Sequence, residues 1–408
     1  MEKREEHSSV QAKEDLLHKM VMHIHEQPYR IVLAITGGGA GAIEQLLKYG
    51  GGSATVLEAT VPYSSKALDD LIGRKPEKYA SPITVRSMAM AAYRRALSLT
   101  EDDDLVRNKD VMGVAASCKL SAGSDEREGR EHEIYVAIQS FDKTLVRTLR
   151  LGEARTRQEE EHIATCMIID SIPKECGWDG EMHLDRLLGK DECIEERKAT
   201  VSKEIAQMLV RPDSIMKRTD LRPDVVRLNL KGKGVDDKPE IIFSGSFNPC
   251  HRNHIVMAEQ AFQKLGKKVH FEISITNVDK PPIDFISLQE RLDSLKEYRD
   301  RDFLGNIYLT VAPLFIQKAK LFENVTFIIG ADTANRLFKT RYYRNEDDMR
   351  NMLAEFREKN IHFLVFRRKD VELNIEPEIC DLCEIVSMED YEDNGISSSA
   401  IRKEMDIE

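Results

Sequence analysis

Two histidines three residues apart, His251 and His254, follow a short apolar run, Ile241 to Ser244, and a loop of mostly small residues, GSFNPC. At the start of a helix, imidazoles stand beside main-chain N–H groups that have no partner inside the helix and beside the positive end of its dipole, a setting that suits phosphate. Gly245 and Ser246 let the backbone come close to a ligand, and Pro249 fixes the turn. Near the other end, NGISSSAIRKEM places Ser397, Ser398 and Ser399 at a second helix start, with Arg402 one turn beyond Ser398 on the same face. That is a second anion site. Between the two, FIIGADTANRL puts Gly330 and Asp332 just after a buried strand, where a carboxylate can accept hydrogen bonds from a ribose or a base amine. Two phosphate-binding helix starts with a polar acceptor between them suit a nucleoside triphosphate.

The elements that must position these groups alternate. The second part of the chain starts at Pro239 and reads as strand Ile241–Ser244, helix His254–Leu265, strand Val269–Thr276 and a helix Ser287–Arg299 with Ser287 and Glu290 in capping-box spacing. Strand Ile307–Val311, a helix with Pro313 near its first turn, strand Val325–Ile329, another helix, strands His362–Phe366 and Glu384–Ser387, and a last helix after Gly395 complete it. Such alternation predicts a Rossmann-like, doubly wound parallel sheet over 239–408, whose ligands sit at the carboxyl ends of the strands.

GSFNPCHRNH, GAD and ISSSAIR resemble the three motifs of the HxGH nucleotidyltransferases, specifically of the nicotinamide mononucleotide adenylyltransferases. SLQERLDSL after KPPID and the strand-end LVFRR are similar to that family too, so the resemblance covers most of 239–408. It implies transfer of AMP from ATP to the 5′-phosphate of nicotinamide or nicotinate mononucleotide, with magnesium carried on the ATP. On that reading His251, His254 and Arg402 are the catalytic residues. The imidazoles contact the reacting phosphates, while Ser397, Ser398 and Arg402 hold the β- and γ-phosphates. Gly245, Ser246, Phe247, Asn248, Gly330 and Asp332 hold the adenosine and the mononucleotide, and Lys280 is a candidate for the acceptor phosphate. Asn253 stands where the family has glycine, and Asn tolerates a left-handed backbone better than most residues. Ser399 stands where threonine is common. Two alternatives remain open at this point: a cytidylyltransferase acting on a phosphorylated alcohol, and a nucleotide-binding sensor or scaffold without turnover.

The first part opens with a helical stretch over 10–26, then the buried strand RIVLAI and a glycine-rich turn, TGGGAGAIEQLL, that opens a helix. Strand signals at Ala54–Val61, Met112–Ala116 and Glu133–Gln139 alternate with helical stretches at Ser65–Ile72, Thr84–Leu99 and Thr156–Ile172. This predicts an α/β domain over 29–175, preceded by a helix in 1–28 and followed by a charged helical connector over 176–238. TGGGAGAIEQLL, VLEATVPYSSKALDDLIG, SPITVRSMAMAAYRRAL and GEARTRQEEEHIA resemble the CinA carboxyl-terminal domain, a nicotinamide mononucleotide deamidase fold. In that family a serine nucleophile precedes the TGG, and a tyrosine followed five residues later by lysine supports it. Here Ala34 and Leu68 occupy the serine and lysine positions, Tyr63 remains, and Lys66 is out of register. Alanine has no oxygen with which to attack an amide, so the resemblance implies a domain that has lost this activity. Thr36 and Ser64 are the hydroxyls that could substitute. The run Gly37 to Gly41 reads either as a phosphate site or as a tight strand-to-helix turn, and the resemblance also implies self-association through this domain.

The composition bounds these readings. At 408 residues, with 41% apolar and 32% charged, the chain is long enough for two cores. A formal net charge of −11 argues against broad electrostatic binding of nucleic acid. No apolar run reaches the length of a membrane helix, and MEKREEHSS lacks the order of a secretion signal, so a cytoplasmic or nuclear protein without membrane contact is expected. Seven scattered cysteines predict reduced thiols, and the single CxxC of Cys380 and Cys383 lacks the second ligand pair that zinc needs.

Overall fold

The computed structural model describes residues 16–100, 108–123, 129–152, 154–175, 178, 184–209, 224–230, 238–276, 280–337, 346–369, 371–375, 377–387, 396 and 398–405. The chain divides into two units, Met1–Arg222 with Asp279–Ile286, and Pro223–Val278 with Ser287–Glu408.

In the first unit, helix α1 (residues 16–26) buries Leu17, Met20, Val21 and Ile24, the stripe its helical spacing predicts. The elements that follow are β1 (Arg30–Thr36), α2 (Gly41–Lys48), β2 (Val56–Thr60), α3 (Ser65–Ile72), α4 (Pro82–Leu99), β3 (Val111–Lys119), β4 (His132–Gln139), β5 (Lys143–Leu151), α5 (Arg157–Glu175), β6 (Ile194–Thr200) and α6 (Lys203–Met208). The sheet runs β2-β1-β3-β4-β5-β6, parallel among β2, β1 and β3 and antiparallel from there on. One face buries Ile31, Leu33, Ile35, Met112, Val114 and Ala116 against α1, α2 and α5. Side chains alternate along a strand, so Ala34 and its cross-strand partner Ala115 take the other face, beneath α4. There a Cβ on Gly113 would lie 2.1 Å from Ala89 O and 2.2 Å from Tyr93 N, so the small residues let α4 approach the sheet.

Among its described residues the span 176–238 carries strands as well as the helix α6. It supplies β6 as the edge strand of this sheet and β7 (Val225–Leu228) to the second sheet. The edge position explains why β6 lacks a strand pattern: its sequence IEERKAT is largely exposed, and its charges pair across the ladder, Glu195 with Arg150 at 3.4 Å and Glu196 with Arg147 at 3.6 Å.

In the second unit β7 is followed by β8 (Ile241–Ser244), α7 (Arg252–Leu265), β9 (Val269–Ser274), α8 (Phe285–Lys296), β10 (Leu304–Thr310), α9 (Phe315–Leu321), β11 (Thr326–Gly330), α10 (Ala331–Leu337), α11 (Glu346–Glu358), β12 (His362–Phe366), β13 (Cys383–Val386) and α12 (Ser398–Met405). The sheet order is β13-β12-β11-β8-β9-β10-β7, parallel throughout except for the antiparallel edge β7. This is a doubly wound sheet, in which the winding direction reverses between β8 and β11. One face packs Ile242, Phe327, Ile329, Phe363 and Val365 against α9, α10 and α11; on the other, Phe243 meets His254 of α7. Helix α8 begins two residues earlier than Ser287, so Ser287 lies in the first turn and is not the cap. Its first residues count with the first unit, where Phe285 N–H donates to Thr144 Oγ1 at 2.9 Å and Asp284 Oδ1 lies 3.3 Å from Arg86 Nε. Among the described residues no helix is long and apolar enough to cross a membrane.

Gly113→Ala is expected to lower the stability of the first unit by about 1–3 kcal/mol through overpacking against α4. A urea midpoint unchanged from wild type, followed by circular dichroism, would contradict that close approach.

Candidate active site at the reversal of the second sheet

Neighbouring parallel strands at the point where the winding reverses send their following loops to opposite faces, which opens a crevice at their carboxyl ends. Here those strands are β8, followed by residues 245–251, and β11, which ends at Gly330 and is followed by Ala331 and Asp332 of α10. The loop after β8 is held on its main chain by side chains from distant elements. Arg291 Nη1 of α8 donates to Ser246 O at 3.3 Å, Arg402 Nη1 of α12 to Asn248 O at 2.6 Å, and Ser398 Oγ to Pro249 O at 3.0 Å. Cys250 N–H donates to Ser294 Oγ of α8 at 2.9 Å. Below the loop, Gly245 N–H donates to Glu272 O at 3.0 Å, and Ser244 Oγ donates to the Glu272 carboxylate. Glu272 is fully buried and paired with Lys318 Nζ at 2.7 and 2.8 Å.

His251 is the N-cap of α7, in extended backbone, and His254 is the third helical residue. Their rings lie 3.9 Å apart between centroids, tilted by 35°. His254 Nδ1 accepts the His251 main-chain N–H at 3.2 Å, which leaves the proton of a neutral imidazole on Nε2. Burial first, then the neighbouring His251 and the Arg368 guanidinium, hold the His254 imidazole down to about 3. At neutral pH it is therefore an uncharged donor, although an arriving phosphate would draw its proton affinity back up. Burial also pushes the Cys250 thiol up to about 12, so no thiolate stands beside the pair at neutral pH.

The remaining predicted residues are placed as follows. Ser398 and Arg402 reach the loop, as described. Gly330 and Asp332 are at the crevice: a Cβ on Gly330 would meet nothing within 4 Å, and Asp332 Oδ2 accepts from Arg368 Nη1 at 2.6 Å. Phe247 has a backbone φ of 44° and a ring only 1% exposed, stacked edge-on to His254 at 5.1 Å, so its side chain supports the loop from below. A Cβ on Gly245 would sit 2.7 Å from that ring. Lys280 is exposed, in the segment that counts with the first unit. Ser397 and the side chain of Ser399 lie outside the described residues.

Asn253 needs no left-handed backbone, since it is a helical residue of α7 and not among the residues of positive φ. It is buried, and its Nδ2 donates to Ile396 O at 3.3 Å, a further link between the histidine helix and the last motif that a glycine could not make.

In the first unit a cleft of about 350 Å³ lies at the carboxyl end of β1, lined among others by Thr36, Gly37, Tyr63, Arg157 and Glu161. Glu161 of α5 fills the place where a phosphate would bind the glycine turn: its Oε2 accepts Gly39 N–H at 2.8 Å and its Oε1 accepts Gly41 N–H at 3.4 Å. The turn is tight as well, because Gly37 has φ 75° and a Cβ there would fall 1.9 Å from Cys118 O. Ala34 and Leu68 are buried, and Tyr63 is 72% exposed. Thr36 Oγ1 donates to Pro62 O at 3.1 Å and Ser64 Oγ caps α3 by accepting Ala67 N–H at 3.2 Å. Lys66 pairs with Asp70 on the surface.

Residues 242–404 match the family model described as cytidylyltransferase-like. The second unit thus carries a cytidylyltransferase-like nucleotidyltransferase domain. Its family model spans all three motif segments, from the loop after β8 to α12. The N-terminal region matches solved structures of the CinA family. The competence/damage inducible protein CihA from Agrobacterium tumefaciens is 18% identical, with a TM-score of 0.32 over 40% of this chain and 94% of that one. A CinA superfamily protein from Klebsiella pneumoniae is 14% identical, with a TM-score of 0.30 over 41% of this chain and 99% of that one. One from Escherichia coli is 11% identical, with a TM-score of 0.32 over 40% and 90%. No curated protein sequence matches the chain.

The cytidylyltransferase-like domain also places three side chains at the crevice that sequence reasoning did not assign: Arg291, Ser294 and Arg368. The first two lie in SLQERLDSL and the third in LVFRR, segments whose similarity to nucleotidyltransferases was the available signal.

His254 is expected to stay neutral down to about pH 4 in the unliganded protein, seen as an imidazole resonance that does not move where an exposed histidine titrates near 6.5. Folding lowers its proton affinity, so its contribution to stability is complete above the unfolded value near 6.5 and is lost as the pH falls toward about 3. Titration near 6.5 in the native spectrum would overturn this burial.

Proposed function

We propose that the second unit transfers AMP from ATP to the 5′-phosphate of nicotinamide or nicotinate mononucleotide, producing a dinucleotide and pyrophosphate as in NAD synthesis. The observation that carries the reading is the His251–His254 pair at the start of α7, beside a loop latched by Ser398 and Arg402 of the last motif. An oxygen of the mononucleotide phosphate attacks the α-phosphorus of ATP, the bond to the α,β-bridging oxygen breaks, and the electron pair leaves with pyrophosphate. That nucleophile is ionised at neutral pH, so no strong base is required; the chain has to align the two phosphates and stabilise charge on the α-phosphate and the leaving group. The His254 Nε2–H is a neutral donor suited to this task. His251 and the α7 N-terminus add donors, and Arg402 adds positive charge near the leaving group. Magnesium arrives with the triphosphate as part of the substrate.

The first unit, on this proposal, performs no amide hydrolysis. Ala34 offers no nucleophile, and Thr36 and Ser64 are engaged with Pro62 O and the α3 N-terminus.

A second reading, cytidylyl transfer to a phosphorylated alcohol, is favoured by the description of the matching family model. Pyrophosphate release with magnesium, comparing ATP with CTP and each mononucleotide with a phosphorylated alcohol, separates the two. Turnover is expected with ATP and at least one mononucleotide, and His254→Ala should lower kcat by about a hundredfold or more with the fold retained. Exclusive use of CTP would replace the first reading by the second.

A further inference from the structure

Arg368 stands two residues beyond the carboxyl end of β12, beside β11 in the sheet, and therefore on the edge that carries the crevice. Its main chain is fixed by a β-bridge to Val371, with Val371 N–H donating to Arg368 O at 3.2 Å. Its Nη1 donates to Asp332 Oδ2 at 2.6 Å, with the two side chains 36% and 43% exposed. An ion pair this accessible contributes little to holding a fold. It keeps a guanidinium, with five donors in a rigid fork, at the mouth of the crevice and partly open to water. Its charge also reaches His254, where it adds to the effect of burial and of His251.

We infer that Arg368 is a phosphate-binding residue of the nucleotide site, held by Asp332 in the unliganded protein and turned onto the triphosphate when the nucleotide enters. This rests on the nucleotidyl-transfer reading above. Asp332 gives the arginine its position before binding. When Arg368 turns to the phosphates, the carboxylate becomes available to the donors of a ribose or a base. Together with Arg402, the site then brings two guanidinium groups to a polyanion, one from the segment after β12 and one from α12.

The test compares wild type, Arg368→Gln and Arg368→Lys of the full chain, titrated by calorimetry with ATP, CTP and adenosine in the presence of magnesium. Arg368→Gln is expected to weaken the preferred triphosphate about tenfold to a hundredfold, as loss of a charge-assisted hydrogen bond does, and to leave adenosine unchanged. Arg368→Lys should recover part of the loss. The His254 imidazole should also titrate at higher pH in Arg368→Gln, a readout independent of activity. Triphosphate affinity equal to wild type in Arg368→Gln, or equal loss for triphosphate and adenosine, would overturn the role. A wild-type chain that binds neither ATP nor CTP would overturn it together with the transfer reading. Selective loss of triphosphate in a chain that turns over neither mononucleotide would uphold Arg368 and remove only the adenylyl-transfer assignment.

Discussion

The site of the second unit depends on main-chain carbonyls that the chain cannot satisfy locally. A loop that leaves a strand and enters a helix within a few residues has no ladder partner for its own C=O groups, and each must find a donor or lose free energy. In this protein Ser246, Asn248 and Pro249 are served by Arg291, Arg402 and Ser398. These are the helices whose sequences also carry the motif character, so one set of side chains shapes the loop and brings cations to the crevice. The histidines inherit their positions from this arrangement, since the helix that bears them starts where the latched loop ends.

The two units show two outcomes of one local design. Each has a buried strand, a glycine-containing turn and a helix N-terminus at the carboxyl edge of a sheet, a geometry that attracts anions. In the first unit an internal carboxylate, Glu161, takes the N–H groups of Gly39 and Gly41. In the second, the helix start is furnished with imidazoles, one held neutral chiefly by burial. An electropositive turn is therefore an invitation, and the side chains packed around it decide whether the chain itself answers.

Much of this was legible from sequence because period and motif coincided. The parallel strands of the second sheet are short apolar runs bounded by turn residues, and the order of motifs matched the order of strand ends. Where legibility failed, a tertiary reason is visible. Strand β6 is an exposed edge written in charges, and β5, with Arg147 and Arg150 in its sequence, reads as polar although its neighbours cover it. Phe247 looks like a ring for a nucleotide to rest on, yet the tight turn folds it inward against Phe243 and Phe271. Asn253 drew attention for its conformational tolerance, whereas its use is the amide bond to Ile396 O. The partners of Glu161 and Arg368 lie more than thirty residues away, beyond the reach of any local pattern.

The latch between the loop and α12 joins residues far apart along the chain, with Asn248 and Arg402 separated by 154 positions and Pro249 and Ser398 by 149. A ribosome adding roughly 5–20 residues per second needs on the order of ten to thirty seconds to travel that distance. During this interval the residues of the histidine helix have been synthesised, while the donors that fix its entry loop have not. The geometry of the candidate site thus depends on residues that are among the last of the domain to be synthesised, after every strand of its sheet.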